Sequence, residues 1–203
     1  MSDSVEVILT TKPEFFGTNT SPQEVRDLTR GIRQYQRVAG KFNELWREID
    51  ARTNESAWRK DGVGSCHTSP HMFETLMNGA LGYRIEDLWY ARSSDTPQDE
   101  PTQACQFHRE GRGCVLGDLK SVRCIDHVDG NKTEIEALLG TEIPDIRTPL
   151  MQILQCGLNY DTEFSRFDPG VNEPLAEETV LATQALIDYV RTKPVLHPTP
   201  GIQ

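Results

Sequence analysis

The chain predicts a mainly α-helical single domain, a helical frame around a loop-rich metal- or cluster-binding centre. Three observations carry that reading. Apolar and aromatic residues recur in an unbroken 3-4 spacing from Val25 to Ile49, which is the signature of one face of a long helix. A second amphipathic run lies near the end, from Pro174 to Lys193. Between them, three of the five cysteines fall in one glycine-rich stretch, CQFHREGRGCVLGDLKSVRC, at Cys105, Cys114 and Cys124, with Cys66 upstream. At 203 residues the chain is long enough for one domain with a real core, read here as 1–203.

Val5, Val7 and Leu9 alternate as in a short edge strand. Ser21-Pro22-Gln23-Glu24 is a capping box with proline at the first helical position, so a long helix is expected over 21–52. Its stripe comprises positions 25, 28, 32, 35, 39, 42, 46 and 49, through Tyr35, Phe42 and Trp46. The first use of such a stripe is the protein's own core. A protein partner is also expected, and the 25–49 stripe is the surface on which it would dock as in a coiled coil. Gly31 and Gly40 lie off the stripe and weaken the helix slightly.

The cysteine-ligand region is read as 62–130. Within it, Ser69-Pro70 opens a helix carrying Phe73, Leu76 and Met77 to Gly82, and a short helix follows over 85–91. Residues 93–104 have no apolar face and read as surface loop. The C-terminal helices span 132–193. Lys132–Leu139 is a short helix stopped by Gly140, and Thr148-Pro149 opens another that runs to about residue 158 and contains Cys156. Pro174 is expected to start the last helix, with Leu175, Val180, Leu181, Ala185, Leu186 and Val190 as its apolar set. Prolines 194, 198 and 200 keep the tail extended.

Charge excludes one large class. A net charge of −10, from 31 acidic and 21 basic residues, argues against general nucleic-acid binding, which rests on neutralising phosphates. Arg109, Arg112, Lys120 and Arg123 cluster near the cysteines and are read as solubilising a loop. No apolar run approaches the roughly 20 residues of a membrane span. The first residues lack the basic start and apolar core of a signal peptide. No membrane partner and a cytoplasmic location are therefore expected. There thiols stay reduced, so clustered cysteines point to ligands, and an odd count of five fits a closed disulfide framework poorly.

The stretch from Cys105 to Cys124 contains Gly111, Gly113 and Gly117, several charges and little apolar periodicity. Such a segment is expected to need a staple. Four thiolates, Cys66, Cys105, Cys114 and Cys124, would supply one around a [4Fe–4S] cluster or, alternatively, Zn²⁺. The gaps 106–113 and 115–123 are wider than the two residues of a zinc knuckle, so the surrounding fold must gather the ligands. Wide gaps and abundant glycine favour the bulkier cluster. His108 and His127, each three residues past a cysteine, are alternates for a mixed Cys/His zinc site. His67, His71 and His197 read as solvated or loop-bonded, and Cys156, beside Ile153 and Leu154, as a buried inert thiol. G-x-S-x-G, P-loop, strand-borne G-x-G-x-x-G and H-E-x-x-H motifs are all lacking from the sequence.

The same stretch resembles the C-terminal half of the YkgJ-like family of zinc- or iron-chelating cysteine-cluster proteins. Cys105, Cys114 and Cys124 match that half in spacing. Leu116 and Lys120-Ser121 stand where the family has an apolar residue and a basic-Pro pair. The family's dense upstream cysteine cluster is missing, and Cys66 alone stands in its place. The resemblance implies metal or cluster binding through at most four thiolates and names no reaction. The leading expectation is an iron–sulfur protein acting as an accessory or electron-transfer subunit. A zinc-stabilised protein–protein interaction module comes second, and an enzyme using the cysteine site third.

Overall fold

The structure, a computed structural model, describes residues 21–53, 108–109, 113–114, 116–120, 122–126, 132–155 and 169–195. The strand expected at 5–9 and the helices expected at 69–82 and 85–91 lie outside these residues. So do Cys66, Cys105, His127 and Cys156. The described part is mainly helical, as the sequence predicts.

Helix α1, Pro22–Thr53, follows its capping signal, and Val25 N–H donates to the Ser21 carbonyl at 3.0 Å. The expected stripe is buried: Ile32, Tyr35, Ala39, Phe42, Trp46 and Ile49 are each at most 1% exposed, and Val25 is partly buried. Val38 and Leu45 are buried too, which widens the stripe beyond a coiled-coil seam. All eight side chains belong to this chain's own core. The expectation that a partner docks on this stripe is therefore corrected, because the surface is already covered.

The most extensive packing against α1 comes from helix α5, Pro169–Arg191. Four polar pairs link the two helices: Arg30 to Glu173, Arg37 to Glu177, Lys41 to Gln184 and Glu48 to Arg191. Both numbers of each pair rise together, so α1 and α5 run parallel. Each exposed ion pair contributes only about 0–1 kcal/mol, so the apolar seam beneath them supplies the strength. A parallel pair of helices cannot be joined by a tight turn.

Two expectations about α5 are corrected. It begins at Pro169, one turn and more before Pro174, which lies inside the helix. A proline near a helix start removes a single ladder bond, here the one to the Gly170 carbonyl, and is tolerated there. The inward face matches the expected set in part: Val180 and Val190 are buried, and Leu175 and Leu186 pack against the core. Ala176, Val180, Thr183, Ile187 and Val190 are buried, whereas Leu181 is 61% exposed and Ala185 is exposed. Thr183 hides among the buried positions because its hydroxyl donates to the Thr179 carbonyl at 2.7 Å, which satisfies it without an outside partner.

Two short helices complete the frame. Helix α3, Lys132–Leu139, ends as expected at Gly140, whose φ of 67° places it in the left-handed region that favours glycine. Helix α4, Arg147–Gln155, begins one residue before Thr148-Pro149. The Asp145 carboxylate caps it by accepting from the Arg147 and Thr148 N–H groups at 2.9 and 3.1 Å. Ile135, Leu139, Ile143, Ile146, Leu150 and Ile153 carry these elements into the common core.

The inward face of α5 is directly testable. Ile187→Ala should lower unfolding free energy by about 2–5 kcal/mol in urea titrations. Leu181→Ala should change it by about 0.5 kcal/mol or less. Equal effects would contradict the seam.

Candidate functional site

The cysteine segment begins with a minimal hairpin. Strands β1, His108–Arg109, and β2, Gly113–Cys114, pair antiparallel, with His108 opposite Cys114 and Arg109 opposite Gly113. Opposed positions of an antiparallel pair share one face of the ladder, so the register brings a histidine position and a cysteine position together. Beyond Leu116 the chain turns sharply at Gly117, where φ is 57°. A side chain would strain that backbone. A 3-10 turn, Gly117–Leu119, then leads through extended backbone at Lys120 into helix α2, Val122–Asp126.

This segment differs from the expected open loop. Leu116, Leu119, Val122 and Ile125 are buried to 3% exposure or less. Their spacing of three was present in the sequence but hidden by the intervening charges and glycine. It matches the three-residue period of the 3-10 turn and approximates that of α2. Cys124 lies on α2 and is itself buried, with no disulfide. The reading that the segment lacks the apolar surface to hold itself in place is corrected.

Polar contacts from α1 complete the attachment. The Tyr35 hydroxyl donates to the Lys120 carbonyl. Asn43 Nδ2 donates to the Gly117 carbonyl at 3.1 Å, and Trp46 Nε1 donates to the Ile125 carbonyl at 2.9 Å. Gln36 Nε2 reaches the Asp118 carboxylate at 3.2 Å. These α1 residues point away from the side that meets α5, so one helix grips the C-terminal helix with one face and the cysteine segment with another. Burial, and after it the charge of the nearby Cys124 thiolate, push the Tyr35 phenol well above its usual range. The phenol therefore stays a neutral donor.

Of the expected ligands, the structure places Cys114 opposite His108 and Cys124 in the core. Cys66, Cys105 and the alternate His127 lie outside the described residues. Among the described residues no three His, Cys, Asp or Glu side chains converge as a metal site. Another concave place is a cleft of about 560 Å³ between α1 and α5, lined by Arg30, Arg33, Gln34, Arg37, Glu173 and Glu177. Glu173 and Glu177 pair with two of its arginines, and no expected ligand lines it.

No protein-family model matches this chain, and no curated protein or solved structure is significantly similar to it. No helix among the described residues is long and apolar enough to cross a membrane.

Trp46 tests the grip of α1 on the segment. Trp46→Phe keeps a buried ring but leaves the Ile125 carbonyl without its indole donor. The expected cost is about 1–3 kcal/mol in chemical denaturation, with faster amide exchange in 116–126 than in α5. Equal exchange changes in both elements would show that the bond is not local.

Proposed function

We propose that this chain is an iron–sulfur protein in which Cys66, Cys105, Cys114 and Cys124 hold a [4Fe–4S] cluster, and that it serves as an accessory or electron-transfer subunit. One observation carries most of the weight. Residues 116–126, which bear Cys124 and follow Cys114 in the chain, are fastened to α1 by apolar burial and by hydrogen bonds to their carbonyls. A segment fastened in this way has the rigidity that a cluster site requires. The donor chemistry fits as well, since thiolates are soft ligands suited to iron–sulfur centres and to zinc. When bound, a cluster with four cysteine ligands supplies one-electron transfer. The resemblance of residues 105–124 to the YkgJ-like cysteine-cluster proteins points the same way.

A second reading has its own support. The register that sets His108 opposite Cys114 suits a mixed Cys/His zinc site. On that reading the centre is a structural pin. The module's partner would then meet some surface other than the 25–49 stripe.

Anaerobic purification separates the two. The iron–sulfur reading predicts a brown protein with about four iron and four sulfide per chain, bleached by Cys114→Ser or Cys124→Ser. A colourless protein holding one tightly bound zinc, lost on His108→Ala, would replace it with the zinc reading. A chain that takes up neither metal would sink both.

A further inference from the structure

The Cys124 thiol is bracketed by two backbone carbonyls that α1 holds. Trp46 Nε1 takes the carbonyl of Ile125, the residue just after the thiol. Tyr35 takes the carbonyl of Lys120, just ahead of the helix that carries it. The two bonds differ in kind. Ile125 lies within α2, whereas Lys120 has φ −54° and ψ 149°, a backbone that is not helical. Its carbonyl accepts from the Tyr35 hydroxyl, a contact made from another element. Tyr35 is fully buried, which holds its hydroxyl in place against the half-buried Lys120.

Lys120 is also the joint of the segment. Before it the 3-10 turn is fixed by Leu116, Leu119 and the Asn43 bond to Gly117. After it α2 is one and a half turns long, too short to hold its own direction without outside contacts. The angle at which α2 leaves Lys120 decides where the thiol sits. The hydroxyl of Tyr35 fixes that joint from the side.

We infer that Tyr35 is the positioning residue of the Cys124 thiol, holding the 3-10 turn and α2 at one fixed angle through the Lys120 carbonyl. Its value to function rests on the cluster reading above. The positioning itself does not require a metal. With the hydroxyl present, α2 is pinned and the thiol stays in the core. Without it, α2 swings out locally and returns while the α1–α5 seam stays closed.

The test uses the full chain, reduced and metal-free, with iodoacetamide as the probe and peptide mass spectrometry to read alkylation at Cys124 alone. Tyr35→Phe keeps the buried ring and removes only the hydroxyl. Cys124 should alkylate about tenfold faster than in the unaltered chain, at a rate independent of urea below the unfolding transition, the mark of a local opening. Ile187→Val, a mild change in the α1–α5 seam, is the control. Its alkylation should follow global unfolding and rise with urea. An unchanged rate in Tyr35→Phe, or a raised rate with the control's urea dependence, would overturn the assignment. Loss of helical circular dichroism in Tyr35→Phe would overturn it too, since the hydroxyl would then be holding the whole fold. Iron and zinc uptake by the unaltered chain is measured alongside. Failure to bind either would remove the cluster reading and leave the alkylation result standing.

Discussion

Side-chain donors on α1 reach across to a segment that is neither a long helix nor a sheet, and bond its carbonyls directly. Tyr35, Asn43 and Trp46 satisfy the carbonyls of Lys120, Gly117 and Ile125. The need for them follows from the chain's geometry. A 3-10 turn and a short helix leave several backbone groups outside any ladder, and burying them unpaired would cost about 1–3 kcal/mol each. Apolar residues at 116, 119, 122 and 125 can enter the core only if those carbonyls find partners. Remove the donors and the burial becomes unfavourable; remove the burial and the donors face water. The two depend on each other, and the attachment of the cysteine segment depends on both.

Everything else arranges α1 so that it can do this. Its partner α5 runs parallel to it, joined by a seam of buried aliphatics and flanked by Arg30–Glu173, Arg37–Glu177 and Arg191–Glu48. Residues 116–126 lie against another face of α1, where Tyr35, Asn43 and Trp46 hold their carbonyls. Helices α3 and α4 fill the remaining space, and the Tyr189 hydroxyl touches the end of α3 at the Leu139 carbonyl, 3.4 Å away. A long helix with two working faces thus couples the packing of the frame to the placement of Cys124.

Much of the frame was legible in the sequence, for physical reasons that differ by element. The start of α1 and the stop of α3 rest on local chemistry, a capping box at Ser21 and a left-handed glycine at Gly140, and local chemistry is what a sequence displays. The buried face of α5 was harder. Leu181 is large and apolar, yet the seam takes Ala176, Thr183 and Ile187, since neighbouring helices decide which face turns inward. Pro174 misled for a similar reason, because a helix tolerates proline near its start and nothing at that position marks where the helix began. The cysteine segment was the least legible. Its spacing of three at 116, 119, 122 and 125 is short, broken by charges, and belongs to two kinds of helix at once. The donors that satisfy it lie more than seventy residues earlier. No local pattern could show that a tyrosine of α1 meets a carbonyl of Lys120.

If α1 holds the cysteine segment, its order does not depend on a bound metal. Hydrogen–deuterium exchange of the chelator-treated, reduced chain tests that most directly. The account predicts that amides of residues 116–126 are protected to the same order as those of α1, with or without iron or zinc. Protection that appears only when metal is added, with α1 itself unchanged, would contradict it and show that the staple is the metal.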